Sequence, residues 1–116
     1  KIKRLCDAHG TKLLFVTALP RSIIRCSGTM RCRHLSDALA VPYLDLNLNT
    51  EELGIDWNLD TLDGGDHLNY TGCQKATAYL QRYMQTHYTL PDRRKDARYE
   101  TWNKRAAEFE KLLPQT

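Results

Sequence analysis

The stretch KLLFVTAL, residues 12–19, is a continuous apolar run rich in β-formers, closed by Gly10 on one side and Pro20 on the other. A run with no polar face is suited to a strand buried on both sides, which is the setting of a parallel sheet. PYLDLNLN, residues 42–49, alternates and reads as a second, shorter strand. Ahead of the first strand, IKRLCDAH places Ile2, Leu5 and Cys6 on one helical face, and Gly10 is a natural stop for that helix. Between the strands, PRSIIRCSGTMRC (20–32) reads as a loop, with turn residues and scattered charge. RHLSDALAV (33–41) reads as a helix with Leu35, Ala38 and Leu39 on one side. Helix, strand, helix, strand is the rhythm of an α/β fold with parallel strands and right-handed crossovers.

Residues 49–69 are polar and turn-rich, with one helical turn expected in NTEELGI, capped by Asn49 or Thr50. A long helix is expected from Thr71, capped by Thr71 or Asn69, with Ala76, Leu80, Tyr83, Met84 and His87 as its apolar stripe. Pro91 breaks the pattern. The last helix, about Asp96 to Leu113, carries Tyr99, Trp102, Ala106, Phe109 and Leu113 at spacings of three and four, with a charged opposite face. Such a helix should lie on the domain surface. The expected organisation is an α/β portion over 1–90 and a helical extension over 91–116 packing on the same domain.

At 116 residues the chain is one domain or part of one. No apolar run approaches the roughly 18 residues that span a membrane, and no secretory signal is present. The net charge of +3 is unevenly distributed. Residues 1–40 hold eight Lys or Arg and two acids, whereas residues 41–70 hold seven acids and no Lys or Arg. The bases are spread over a helix and a loop without interleaved aromatics, so a solvated face is expected rather than a nucleic-acid surface.

The acidic stretch lies after a strand and before a helix, where α/β folds build sites. LDGGDHLNYTG, residues 62–72, concentrates Asp63, Asp66, His67 and Asn69, with Gly64 and Gly65 allowing tight turns. Imidazole is the usual general base near neutral pH. It needs its second nitrogen held by an acceptor, and a carboxylate both fixes the tautomer and stabilises the imidazolium formed in the reaction. Asp63, four residues before His67, can share its side of a turn, whereas adjacent side chains usually diverge. Asp63 is therefore the favoured orienting acid, and Asp66 the alternative.

Other chemistries are poorly served. Asp56, Asp60, Asp63 and Asp66 do not follow the calcium-loop register, so no metal or cofactor is expected. Cys26 and Cys32, six apart, match neither CxxC nor a finger spacing and would at most pair as a disulfide. Cys6 reads as core filling. No G-x-S-x-G elbow occurs among Ser22, Ser27 and Ser36, so the chain shows no serine nucleophile of that type.

DGGDHLNYTG, followed by a long helix, resembles the last catalytic block of SGNH (GDSL-type) hydrolases. KLLFVTALP, VPYLDLN, GIDWNLDTLDGGDHLN and the tail YTLPDRRKDARYETWNKRAAEFE resemble the C-terminal part of bacterial members, so the likeness covers essentially the whole chain. It implies a flavodoxin-like α/β/α sandwich and ester hydrolysis or acyl transfer, with His67 as the base and Asp63 or Asp66 as the acid. The family's usual spacing is Asp-x-x-His, but Gly64 stands three before His67. The family's serine, glycine and asparagine blocks have no match here. The resemblance thus implies the C-terminal portion of a longer enzyme acting on an ester or acylated carbohydrate, with any membrane anchor in the missing N-terminal part and an extracytoplasmic location for the parent. A half-sheet would leave apolar edges and helix faces for self-association. The rival expectation is a non-catalytic α/β module that binds a partner through its acidic loop and last helix.

Overall fold

The computed structural model describes residues 1–18, 26–65 and 67–113. These form two compact units, Lys1–Tyr83 and Met84–Thr116. In the first unit the order is α1 (Ile2–Ala8), β1 (Phe15–Thr17), α2 (Cys26–Leu39), β2 (Tyr43–Asp45), a 3-10 turn (Leu46–Asn49) and α3 (Thr50–Leu53). A further helix, α4 (Tyr70–His87), begins in this unit and ends in the second, which also holds α5 (Glu100–Glu110). The described residues are thus a mixed α/β arrangement with a two-stranded parallel sheet and five α-helices.

The parallel pairing expected from the sequence is present, with Phe15 opposite Tyr43, Val16 opposite Leu44 and Thr17 opposite Asp45. The strands are shorter than their apolar runs. The second run turns into 3-10 helix at Leu46, where Asp45 accepts a hydrogen bond from the Asn47 backbone N–H at 3.0 Å. The first strand is also not buried on both faces: Val16 is 40% exposed, and among the described residues β2 is the one strand paired with β1.

Three of the helices end alike. After α1, Gly10 takes a positive φ and the Thr11 N–H donates to the Cys6 carbonyl at 2.8 Å, which is the stop expected there. After α3, Gly54 does the same, with Ile55 donating to Thr50 at 3.2 Å. After α2, that position is taken by Ala40, at φ 48°, with Val41 N–H donating to Ser36 at 3.0 Å. The Ser36 hydroxyl also donates to the Val41 carbonyl, at 2.5 Å.

The helix expected over 33–41 starts earlier, at Cys26, and absorbs part of the expected loop. Ser27 and Gly28, within the stretch expected to be a loop, lie in its first turn, where weak helix formers are tolerated. This corrects the disulfide reading. Residues six apart in one helix are separated by about 9 Å along its axis, beyond the reach of a disulfide, and Cys32 is a free thiol.

The core of the first unit is Leu44, Leu46 and Leu53, with Leu14, Ile55, Trp57 and Leu68 against it. Ala76, Tyr79, Leu80 and Tyr83 of α4 close it, so the expected stripe of that helix faces the core as far as Tyr83. The α1 face read as apolar is uncovered: Ile2 and Leu5 are exposed. In the second unit the expected last helix divides into a 3-10 turn (Ala97–Tyr99), started by Asp96 accepting from the Arg98 N–H at 3.1 Å, and α5. Its Trp102 and Phe109 are exposed. No described helix is long and apolar enough to cross a membrane.

Candidate functional site

The site is the loop between α3 and α4. It opens with a turn in which Asp56 Oδ1 accepts the backbone N–H groups of Asn58 and Leu59, at 2.8 and 3.2 Å. It closes at Asn69, whose Oδ1 accepts the Gly72 N–H at 3.0 Å and thereby caps α4, one of the two caps expected. Between these ends the chain folds back on itself. The Asn69 N–H donates to the Asp60 carbonyl at 2.9 Å, Thr61 and Leu68 form an antiparallel bridge, and the Leu62 N–H donates to the His67 carbonyl at 2.9 Å. Asn69 Nδ2 reaches across to the Leu59 carbonyl at 2.6 Å.

The reversal falls on Gly64 and Gly65, at φ 71° and 116°, conformations in which a side chain would be strained. It brings Asp63 back to His67. Asp63 Oδ1 accepts the His67 backbone N–H at 2.7 Å, and Asp63 Oδ2 lies 2.5 Å from His67 Nδ1. When Asp63 is ionised its carboxylate can only accept, which favours the neutral tautomer with the proton on Nδ1 and the lone pair on Nε2. The two side chains are 74% and 48% exposed for His67 and Asp63 respectively. Asp66, the alternative acid, lies outside the described residues, as does Ser22.

The other acids of the loop have different work. Asp60 is 2% exposed, and its Oδ2 accepts from Lys75 Nζ at 2.6 Å and from the Asp56 N–H at 2.7 Å. The Lys75 ammonium first, and the Asp56 amide second, hold the Asp60 carboxyl below its ordinary range. Lys75 Nζ also donates to the Gly54 carbonyl at 2.8 Å. Among the described residues, no group of three His, Cys, Asp or Glu side chains is arranged to hold a metal ion. Ser36 is committed to the α2 terminus.

A second polar cluster has no motif in the sequence. At the carboxyl ends of the strands the Tyr43 hydroxyl lies 2.8 Å from Thr17 Oγ1 and donates to Asp45 Oδ2 at 2.8 Å. Burial, more than these neighbours, pushes the Tyr43 phenol up. Asp45 is 5% exposed and also accepts from Asn47 Nδ2 at 3.0 Å, while Asn49 Nδ2 donates to the Asp45 carbonyl at 2.8 Å. The only sequence signal for it is the position of Asp45 at a strand's carboxyl end.

Comparison with protein-family models, with curated proteins and with solved structures gave no match for this chain.

Proposed function

We propose that this chain is the C-terminal portion of an SGNH-type serine esterase or acyltransferase, part of a flavodoxin-like α/β/α sandwich, and that it supplies the general base. The observation that carries the reading is the Asp63 Oδ2 to His67 Nδ1 contact of 2.5 Å, which favours the tautomer a base needs. The resemblance of DGGDHLNYTG to the family's last catalytic block supports it independently of that geometry.

In this reading His67 Nε2 takes the proton of a serine hydroxyl supplied by another segment, as the serine oxygen bonds to an ester carbonyl. Asp63 holds the imidazolium that forms. Oxyanion donors from the same missing segment stabilise the tetrahedral intermediate. His67 then returns the proton to the departing alcohol as the carbon–oxygen bond breaks. The oxygen of water or of a sugar hydroxyl, deprotonated in turn by His67, then bonds to the acyl carbon, and His67 gives that proton to the serine oxygen as the acyl–serine bond breaks. The substrate is an ester or an acylated carbohydrate.

The test is ester turnover by the protein that joins this chain to its serine segment. His67→Ala should lower kcat by about 10³-fold with KM little changed. Unchanged kcat would remove His67 from the mechanism. A second reading, a binding module without catalysis, draws on the exposed Trp102 and Phe109 of α5. It predicts a tight protein ligand and no hydrolysis.

A further inference from the structure

We infer that Lys75 is the positioning residue for His67: through the buried Asp60 carboxylate it fastens to α4 the ladder of hydrogen bonds that ends in the Asp63–His67 pair. The pair orders the tip of the turn but is largely exposed, so it is a weak anchor of the loop to the rest of the unit. The fixed end of the loop is Asp60, at 2% exposure. One ammonium, Lys75 Nζ, binds both Asp60 Oδ2 (2.6 Å) and the Gly54 carbonyl (2.8 Å), so α4 grips the loop and the end of α3 together.

From Asp60 the order passes outward in rungs. Asp60 carbonyl meets the Asn69 N–H, Thr61 bridges Leu68, Leu62 N–H meets the His67 carbonyl, and Asp63 meets His67. The base of the ladder is packed without slack: a Cβ added at Gly72 would clash with the Asp60 carbonyl oxygen. Removing the Lys75 charge leaves the buried Asp60 carboxylate without its cation. That carboxylate must then move toward water or take up a proton, and either change loosens the first rung.

The geometric claim stands apart from catalysis, but its functional meaning rests on the esterase reading. It is tested on the 116-residue chain by NMR. Lys75→Met keeps the apolar stem and removes the ammonium. Hydrogen exchange at the Leu62 N–H should speed up roughly tenfold more than at β2 amides, because the opening is local. The ¹⁵N shifts of His67 should move from the Nδ1–H tautomer toward a mixture, and Lys75→Arg should restore much of both signals. If Lys75→Met does not fold, Lys75→Gln is read in the same way. An unchanged Leu62 rate and an unchanged His67 tautomer, or equal acceleration at every amide, would overturn the inference. Ester turnover independent of His67 would defeat the enzymatic reading and leave this result intact. In the joined enzyme, Lys75→Met should lower kcat about tenfold and spare KM.

Discussion

Asp63 grips His67 twice, accepting its backbone N–H at 2.7 Å on one carboxylate oxygen and holding ring Nδ1 at 2.5 Å on the other. The first contact fixes the turn and the second fixes the ring. The same carboxylate therefore couples loop shape to imidazole tautomer. Neutral His67 in the 116-residue chain should be the Nδ1–H form, whereas free imidazole side chains favour Nε2–H. Long-range ¹H–¹⁵N spectra should show this directly, and Asp63→Ala should return His67 to the ordinary tautomer.

His67→Ala should leave the chain almost as stable as it was. The ring is largely exposed, and the loss should stay within about 0.5 kcal/mol. Asp63→Ala should cost more, about 1 kcal/mol, because the backbone N–H of His67 loses its acceptor. Urea midpoints of the two variants give the comparison.

Gly72→Ala should be among the most damaging single changes. The added methyl meets the Asp60 carbonyl oxygen and also Leu68 and the Asp60 Cβ, and two of these are fixed by the loop's own hydrogen bonds. A cost of about 3 kcal/mol is expected from forced displacement at the helix start. Thermal unfolding would register it as a large drop in Tm.

Ala40→Gly should do the opposite. Ala40 closes α2 at φ 48°, the left-handed region, where a Cβ costs roughly 1 kcal/mol relative to glycine. The substitution should raise stability by up to that amount in equilibrium unfolding.

Asp60 sets an acid limit. Its folded pKa lies below the ordinary 3.8, so the pair's contribution is fully present above about pH 4 and is lost as pH falls through the folded value. Asp60→Asn should lower stability at pH 7 by on the order of 2 kcal/mol, since a charge-assisted bond is weakened. It should also flatten the fall below pH 4, as urea unfolding at stepped pH would show.

Local chemistry was the legible part of this molecule. Gly10 as a helix stop, Asn69 as a cap, the Ala76, Leu80 and Tyr83 face, and the four-residue reach of Asp63 to His67 all follow from short-range rules. What escaped depends on partners far along the chain. Lys75 is fifteen residues from Asp60, and Thr17 is twenty-six from Tyr43, so no window of sequence pairs them. The early start of α2 escaped for another reason. Ser27 and Gly28 signal a turn as readily as a helix's first turn, and only the following residues decide between them. Val16 belongs to an apolar run that implied burial on both faces, but how much of a strand is covered depends on how many neighbours the sheet provides.

The proposed activation of a serine by His67 can be followed by covalent labelling. It is read most directly as the rate of fluorophosphonate labelling in a longer protein containing this chain and the proposed serine, by intact mass for the native sequence and for His67→Ala. Labelling of one serine that slows by about 10³-fold or more in the variant is the expected result. Labelling at the same rate without the imidazole would show that His67 does not activate that serine.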